Sequence, residues 1–183
     1  MELSSVVEDV ADTLKRIDSS KLTFKTFQAG VGPYGEPQLT KLIAQELSKL
    51  PRYSEGVTSK RTPDLLIAEG WAIEIKIVRP FGDNGKPAEN WSVNLLHPYS
   101  GNASLLGDCL KLAAFQCIEQ KAVLAITYEH DPPQVDLEVL FRAFELIARD
   151  VLSIQLGERQ SALRSQLIHP VHQRLAVYGW RIG

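Results

Sequence analysis

The stretch Trp71-Ala-Ile-Glu-Ile-Lys-Ile-Val78 constrains this chain more than any other segment. Side chains alternate across a strand, so Trp71, Ile73, Ile75 and Ile77 fall on one face and Ala72, Glu74, Lys76 and Val78 on the other. The first face is uniformly large and apolar and has to pack in a core. The second carries a carboxylate and an ammonium, flanked by Ala72 and Val78 rather than by polar residues. A merely solvated face would be more polar than this. On a partly covered face the two charges cost free energy unless something compensates them. The strand thus predicts a core on one side and a charged, half-covered site on the other.

The elements around it follow from periodicity and turn chemistry. Leu3, Val6, Val7, Val10, Leu14 and Ile17 recur at helical spacing over residues 3–17, either against the domain's own core or against a second copy in a homodimer. A glycine-rich loop at 28–35 precedes a second helix, 36–50, with Pro37 in its first turn and Pro51 as its stop. Residues 53–59 predict a weak strand. Residues 63–68 predict a stronger one, joined to 71–78 by a turn at Glu69-Gly70. A long loop, 79–101, leads to a helix at 102–120, a buried strand at 122–128, a helix at 135–152 and a last strand at 175–182. With 183 residues, 44% of them hydrophobic, one α/β domain spanning 1–183 accounts for the chain: a small mixed sheet flanked by helices.

The formal charge of -2 gives no reason to expect nucleic-acid binding from charge alone, so any such contact must come from a local basic surface. Cys109 and Cys117 sit eight residues apart in the expected 102–120 helix, roughly 12 Å along its axis, too far for a disulfide. Reduced cysteines fit a cytoplasmic setting. The acidic start of the chain is unlike a signal peptide, and no apolar run reaches the roughly 20 residues that span a bilayer.

Asp64 opens the strand before Glu74. Counting back from the turn puts it near the level of Glu74 or Lys76. Two carboxylates at one end of a hairpin repel each other unless a cation lies between them. Oxygen ligands without sulfur or imidazole favour Mg²⁺, with Mn²⁺ as a substitute. An ion there would activate water and neutralise charge on a phosphate, and Lys76 would orient the water or stabilise the phosphorus centre. These residue types fit phosphodiester hydrolysis better than acyl transfer.

Thr62-Pro63-Asp64, nine intervening residues, then Glu74-Ile75-Lys76 resembles the signature of the PD-(D/E)XK nuclease superfamily, the restriction endonuclease-like fold. The expected element order α-β-β-β-α-β over about 36–128 resembles that superfamily's core as well. The resemblance implies Asp64, Glu74 and the Ile75 carbonyl as metal ligands and Lys76 as the residue serving the water. It implies a helpful glutamate on the first core helix, Glu36 before Glu46. It also implies polar residues from the helix after the third strand, with Ser104, Asp108 and Lys111 as candidates. The expected activity is a Mg²⁺-dependent nuclease with DNA ahead of RNA as partner. The alternative is a catalytically silent domain of the same fold that binds nucleic acid or protein.

Arg52, Lys60, Arg61, Arg79 and Lys86 flank the site strands, as a track for a phosphate backbone or as plain loop charges; Lys111 is a further candidate for that track. Trp91, His97 and Tyr99 either stack on bases or pin the long loop to the core. His169 and His172 are unaccompanied by cysteines or an acidic cluster and read as structural, and Tyr178 and Trp180 as core or interface residues.

Overall fold

The computed structural model describes residues 1–24, 28–99 and 104–183. Trp71–Val78 is an eight-residue strand, β3, and every one of its residues is buried. Beside it lie β2 (Leu65–Ile67) and β4 (Gln120–Glu129), which make β3 an interior strand. With β1 (Val57–Ser59), β5 (Gln160–Arg164) and β6 (Arg174–Ile182), the strands form one six-stranded sheet in the order β1-β2-β3-β4-β6-β5. β3 and β4 run parallel and all other neighbours are antiparallel. A parallel pair needs a crossover. Here the crossover carries a short helix, α3 (Val93–Leu96), and then α4 (Leu105–Ala114).

Helices cover both faces, which is why β3 can be buried throughout. On one face, α1 (Leu3–Ser19) and α2 (Glu36–Leu47) bury Val6, Val10, Leu14, Leu39, Ile43 and Leu47 against Ile73, Ile75, Ile77, Leu124 and Ile126. On the other, Leu105, Leu106, Cys109 and Leu112 of α4 meet Ala72, Val78, Val123, Ala125 and Trp180. Phe141 and Phe144 of α5 (Glu138–Leu146) join them. The apolar stripe of α1 is spent on its own sheet, chiefly β5 and β6, so a homodimer would have to use another surface. Trp180 is fully buried and donates its indole N–H to Glu145 (2.9 Å), so it is a core residue; Tyr178 is half-buried beside Phe141.

Several expected boundaries move. Residues 51–53 form a single 3-10 turn, and only 57–59 pair as a strand. The start expected for the 102–120 helix lies outside the described residues. Its end comes at Ala114, so Cys117 falls beyond the helix and Gln120 already belongs to β4. Both cysteines are free thiols. The 135–152 helix is α from 138 to 146 and continues as a π turn over Ile147–Val151. β5 is a strand that periodicity missed. No helix among the described residues is long and apolar enough to cross a membrane.

Candidate active site

β2 is only three residues long, and that brevity creates the site. Its pairing with β3 begins at Leu65↔Ile73, so one further step places Asp64 opposite Glu74, on the same face of the sheet. Beyond Leu65 the β3 edge has no strand beside it. Side chains take over: the Ile75 amide donates to Asp64 Oδ2 (2.9 Å) and the Ile77 amide to Glu36 Oε2 (3.2 Å). A buried edge must have its amides satisfied, and here two carboxylates do it. In an extended strand a residue's carbonyl points the same way as its amide, so the Ile75 carbonyl opens on this edge between the two acids.

The opposite wall comes from α4. Asp108 and Lys111, three residues apart, share one helical face. Lys76 Nζ lies 3.0 Å from Glu36 Oε1 and 3.3 Å from Asp108 Oδ2. Lys111 Nζ lies 2.5 Å from Glu74 Oε2 and 3.1 Å from Asp108 Oδ1. Ser104 caps α4, accepting from the Gly107 amide (3.0 Å) and donating to the His97 carbonyl (2.6 Å); it positions the helix rather than joining the charges. The structure therefore brings Glu36, Asp64, Glu74, Lys76, Asp108 and Lys111 into one cluster collared by the apolar residues of α4 and β3.

Four carboxylates face two ammonium groups. Asp64 has no ion pair among the described residues, and Glu74 Oε1 is buried with no hydrogen-bond partner among them. Burial pushes the Glu74 pKa up from 4.5 to about 8; the Lys111 hydrogen bond opposes this, and the charge of Asp64 adds to it. Burial likewise raises Glu36 against the pull of Lys76, and raises Asp108 against both lysines. For Lys76 burial works downward, but Asp108 and Glu36 outweigh it and keep the ammonium charged; for Lys111, Glu74 and Asp108 do the same. The cluster thus has more negative charge than its own cations can balance, which is the condition under which a buried site takes up protons or a metal ion. The residues present fit a divalent cation: among the described residues, a buried carboxylate oxygen without a hydrogen-bond partner, a second carboxylate beside it, and no soft ligand in the cluster.

Other candidates fall elsewhere. Glu46 pairs with Lys49, away from the cluster. Arg52 binds Asp9 (3.3 Å) beside α1, on the other side of the sheet, and is removed from the track. Lys111, counted from the sequence as a candidate for backbone contact, belongs to the carboxylate cluster. Lys60, Arg61 and Lys86 are exposed. The Arg79 guanidinium donates to the Gly32 carbonyl (2.7 Å). Arg79 and Trp91 line a cavity of about 280 Å³ that also touches Ile77. Trp91 packs on the second core cluster, and His97 meets the exposed ring of Tyr99 edge-on (5.2 Å).

The histidines are not unaccompanied. His172 Nε2 lies 2.9 Å from Asp83 Oδ1, and His169 stacks on His172 at 4.6 Å. Among the described residues these three are the one set of His, Cys, Asp or Glu whose ligand atoms all lie within 4.8 Å of one another, a spacing that could hold a metal ion. The hydrogen bonds argue otherwise. His169 Nδ1 accepts from the amides of Val171 and His172 (3.2 Å each), which puts its proton on Nε2. A metal on Nε2 would need that proton on the nitrogen already facing two N–H donors. Burial pushes the His172 pKa down to about 4 and lowers that of His169, so both rings are neutral. Gly32 packs against this pair: a Cβ there would stand 2.5 Å from His172 Cβ and 2.6 Å from its ring. Gly32→Ala is expected to cost about 1–3 kcal/mol through overpacking, read as a lower urea midpoint at unchanged slope.

Compared with family models, with curated proteins and with solved structures, the chain gives no significant match.

Proposed function

We propose that the chain is a metal-dependent nuclease with a restriction endonuclease-like core, hydrolysing phosphodiester bonds, in DNA before RNA. The observation that carries this reading is the buried Oε1 of Glu74, which has no hydrogen-bond partner among the described residues, beside Asp64, which has no ion pair among them, in a cluster of four carboxylates and two ammonium groups. Asp64, Glu74 and the Ile75 carbonyl are the residues that would hold Mg²⁺, or Mn²⁺ in its place. Bound there, the ion supplies Lewis-acid activation of water and charge neutralisation at phosphorus. Lys76, held by Glu36 and Asp108 on the same strand as Glu74, would orient a water or stabilise an anionic phosphorus centre. Glu36 serves by holding Lys76 and the Ile77 amide at once. Lys60, Arg61, Arg79 and Lys86, which flank the site strands in the sequence, are the basic groups that would meet a phosphate backbone.

One observation favours a second reading, a catalytically silent domain of the same fold. Lys76 and Lys111 already pair three of the four acids, as a purely structural network would. Labelled DNA and RNA incubated with Mg²⁺ or Mn²⁺, against EDTA, separate the two. Cleavage that needs the metal and falls about 10²–10³-fold in Asp64→Ala supports the nuclease. Binding without cleavage under every metal condition supports the silent domain and ends the first reading.

A further inference from the structure

The two lysines of the cluster are held differently. Lys76 is enclosed, its side chain 8% exposed between Glu36 and Asp108 on an interior strand. Lys111 stands on α4 at the outer side of the cluster, 42% exposed, and grips Glu74 and Asp108 from one direction. Its flexible stem can carry the ammonium into water without unpacking anything. Glu74 is the reverse: 1% exposed, fixed on β3, unable to follow. An ammonium and a divalent cation both seek the Glu74 carboxylate. A magnesium ion sits about 2.0–2.1 Å from a carboxylate oxygen, so an ammonium 2.5 Å from the sister oxygen would face it as a like charge a few ångströms away. The less constrained cation is the one that leaves.

We propose that Lys111 is a displaceable counter-ion, which pairs with Glu74 and Asp108 while no divalent ion is present and is expelled into solvent when one binds. The inference rests on the metal-site reading above and assigns Lys111 a regulatory place in it: the protein carries its own placeholder, against which every incoming ion competes. Asp108 keeps Lys76 as its partner after the exchange, so the cluster does not lose its second ammonium.

The test uses the whole chain and Mn²⁺. Binding is followed by the electron paramagnetic resonance of free Mn²⁺. Amine acetylation with mass spectrometry then reads the exposure of each lysine in EDTA and in saturating Mn²⁺. Lys111 is expected to be acetylated several-fold faster in Mn²⁺, with Lys76 protected in both. Unchanged Lys111 labelling while Mn²⁺ demonstrably binds overturns the counter-ion and leaves the metal-site reading intact. Failure to bind Mn²⁺ at all overturns both. Lys111→Met gives a second arm: removing a nearby positive charge is expected to tighten Mn²⁺ binding about tenfold, and equal or weaker binding rejects the proposal.

Discussion

Lys76→Met is expected to abolish cleavage and to destabilise the fold together. Lys76 Nζ is the shared partner of Glu36 and Asp108, and its side chain is nearly inaccessible. Methionine fills much of the same volume but removes the charge, leaving Asp108 buried with Lys111 as its one remaining cation among the described residues. Removing one member of a buried ion pair costs about 3–5 kcal/mol, because the abandoned charge stays out of water. The partial exposure of Glu36 places the expected loss near the bottom of that range, about 3 kcal/mol. Urea unfolding should show it at neutral pH. The deficit should shrink in acid: burial already raises the Asp108 pKa, and a protonated carboxyl no longer misses its ammonium. Cleavage should fall by about 10³-fold, in keeping with loss of a positioned donor at a developing anion. A variant that keeps full stability, or that keeps its rate, would show that Lys76 is not the hub of the cluster.

Glu74→Gln separates the same two properties. Cleavage is expected to drop about 10³-fold or more, since a neutral amide is a poor ligand for a hard dication. Stability without metal should move the other way. The Glu74 pKa of about 8 in the folded chain lies above its ordinary 4.5, so the folded protein prefers the protonated form. That preference stabilises fully below about pH 4.5 and is lost as pH rises through 8, where the buried carboxylate must ionise. Between those limits wild-type stability should fall with increasing pH, while the glutamine variant stays flatter and becomes the more stable of the two above pH 8. The gap is on the order of a few kcal/mol at alkaline pH. Adding Mn²⁺ should stabilise the wild type and close the gap, and should leave the variant unmoved. Unfolding midpoints across pH 5–9, with and without Mn²⁺, test each part.

The interior strand was legible because β3 writes its two environments as a two-residue alternation. The hairpin register was legible too: a turn at Glu69-Gly70 leaves few ways to pair, and Asp64 falls opposite Glu74, one of the two levels that counting leaves open. α4 was overextended because its continuation, Phe115 to Glu119, lacks a proline to mark the break. β5 was invisible for a different reason. It is an edge strand of which only Ala162 is buried, with Leu163 turned to solvent, so no alternating pattern exists to be read. Asp64, just ahead of β2, and Glu74 on β3 could be found from local pattern. The meeting of Lys111 with Glu74 across 37 positions, and of Asp83 with His172 across 89, depends on how crossovers fold back, and no short-range periodicity records that.

Had β2 run four residues further toward its own start, to Arg61, main-chain carbonyls would reach Ile75 and Ile77, and the acids would have no amides to hold. The notch would be closed by backbone. A truncated neighbour instead leaves a gap in the weave of the sheet, wide enough for side-chain oxygens to gather along it. The carboxylate cluster at this place is thus made possible by a strand that stops early, and lengthening it by design should erase the cluster while making the sheet more regular.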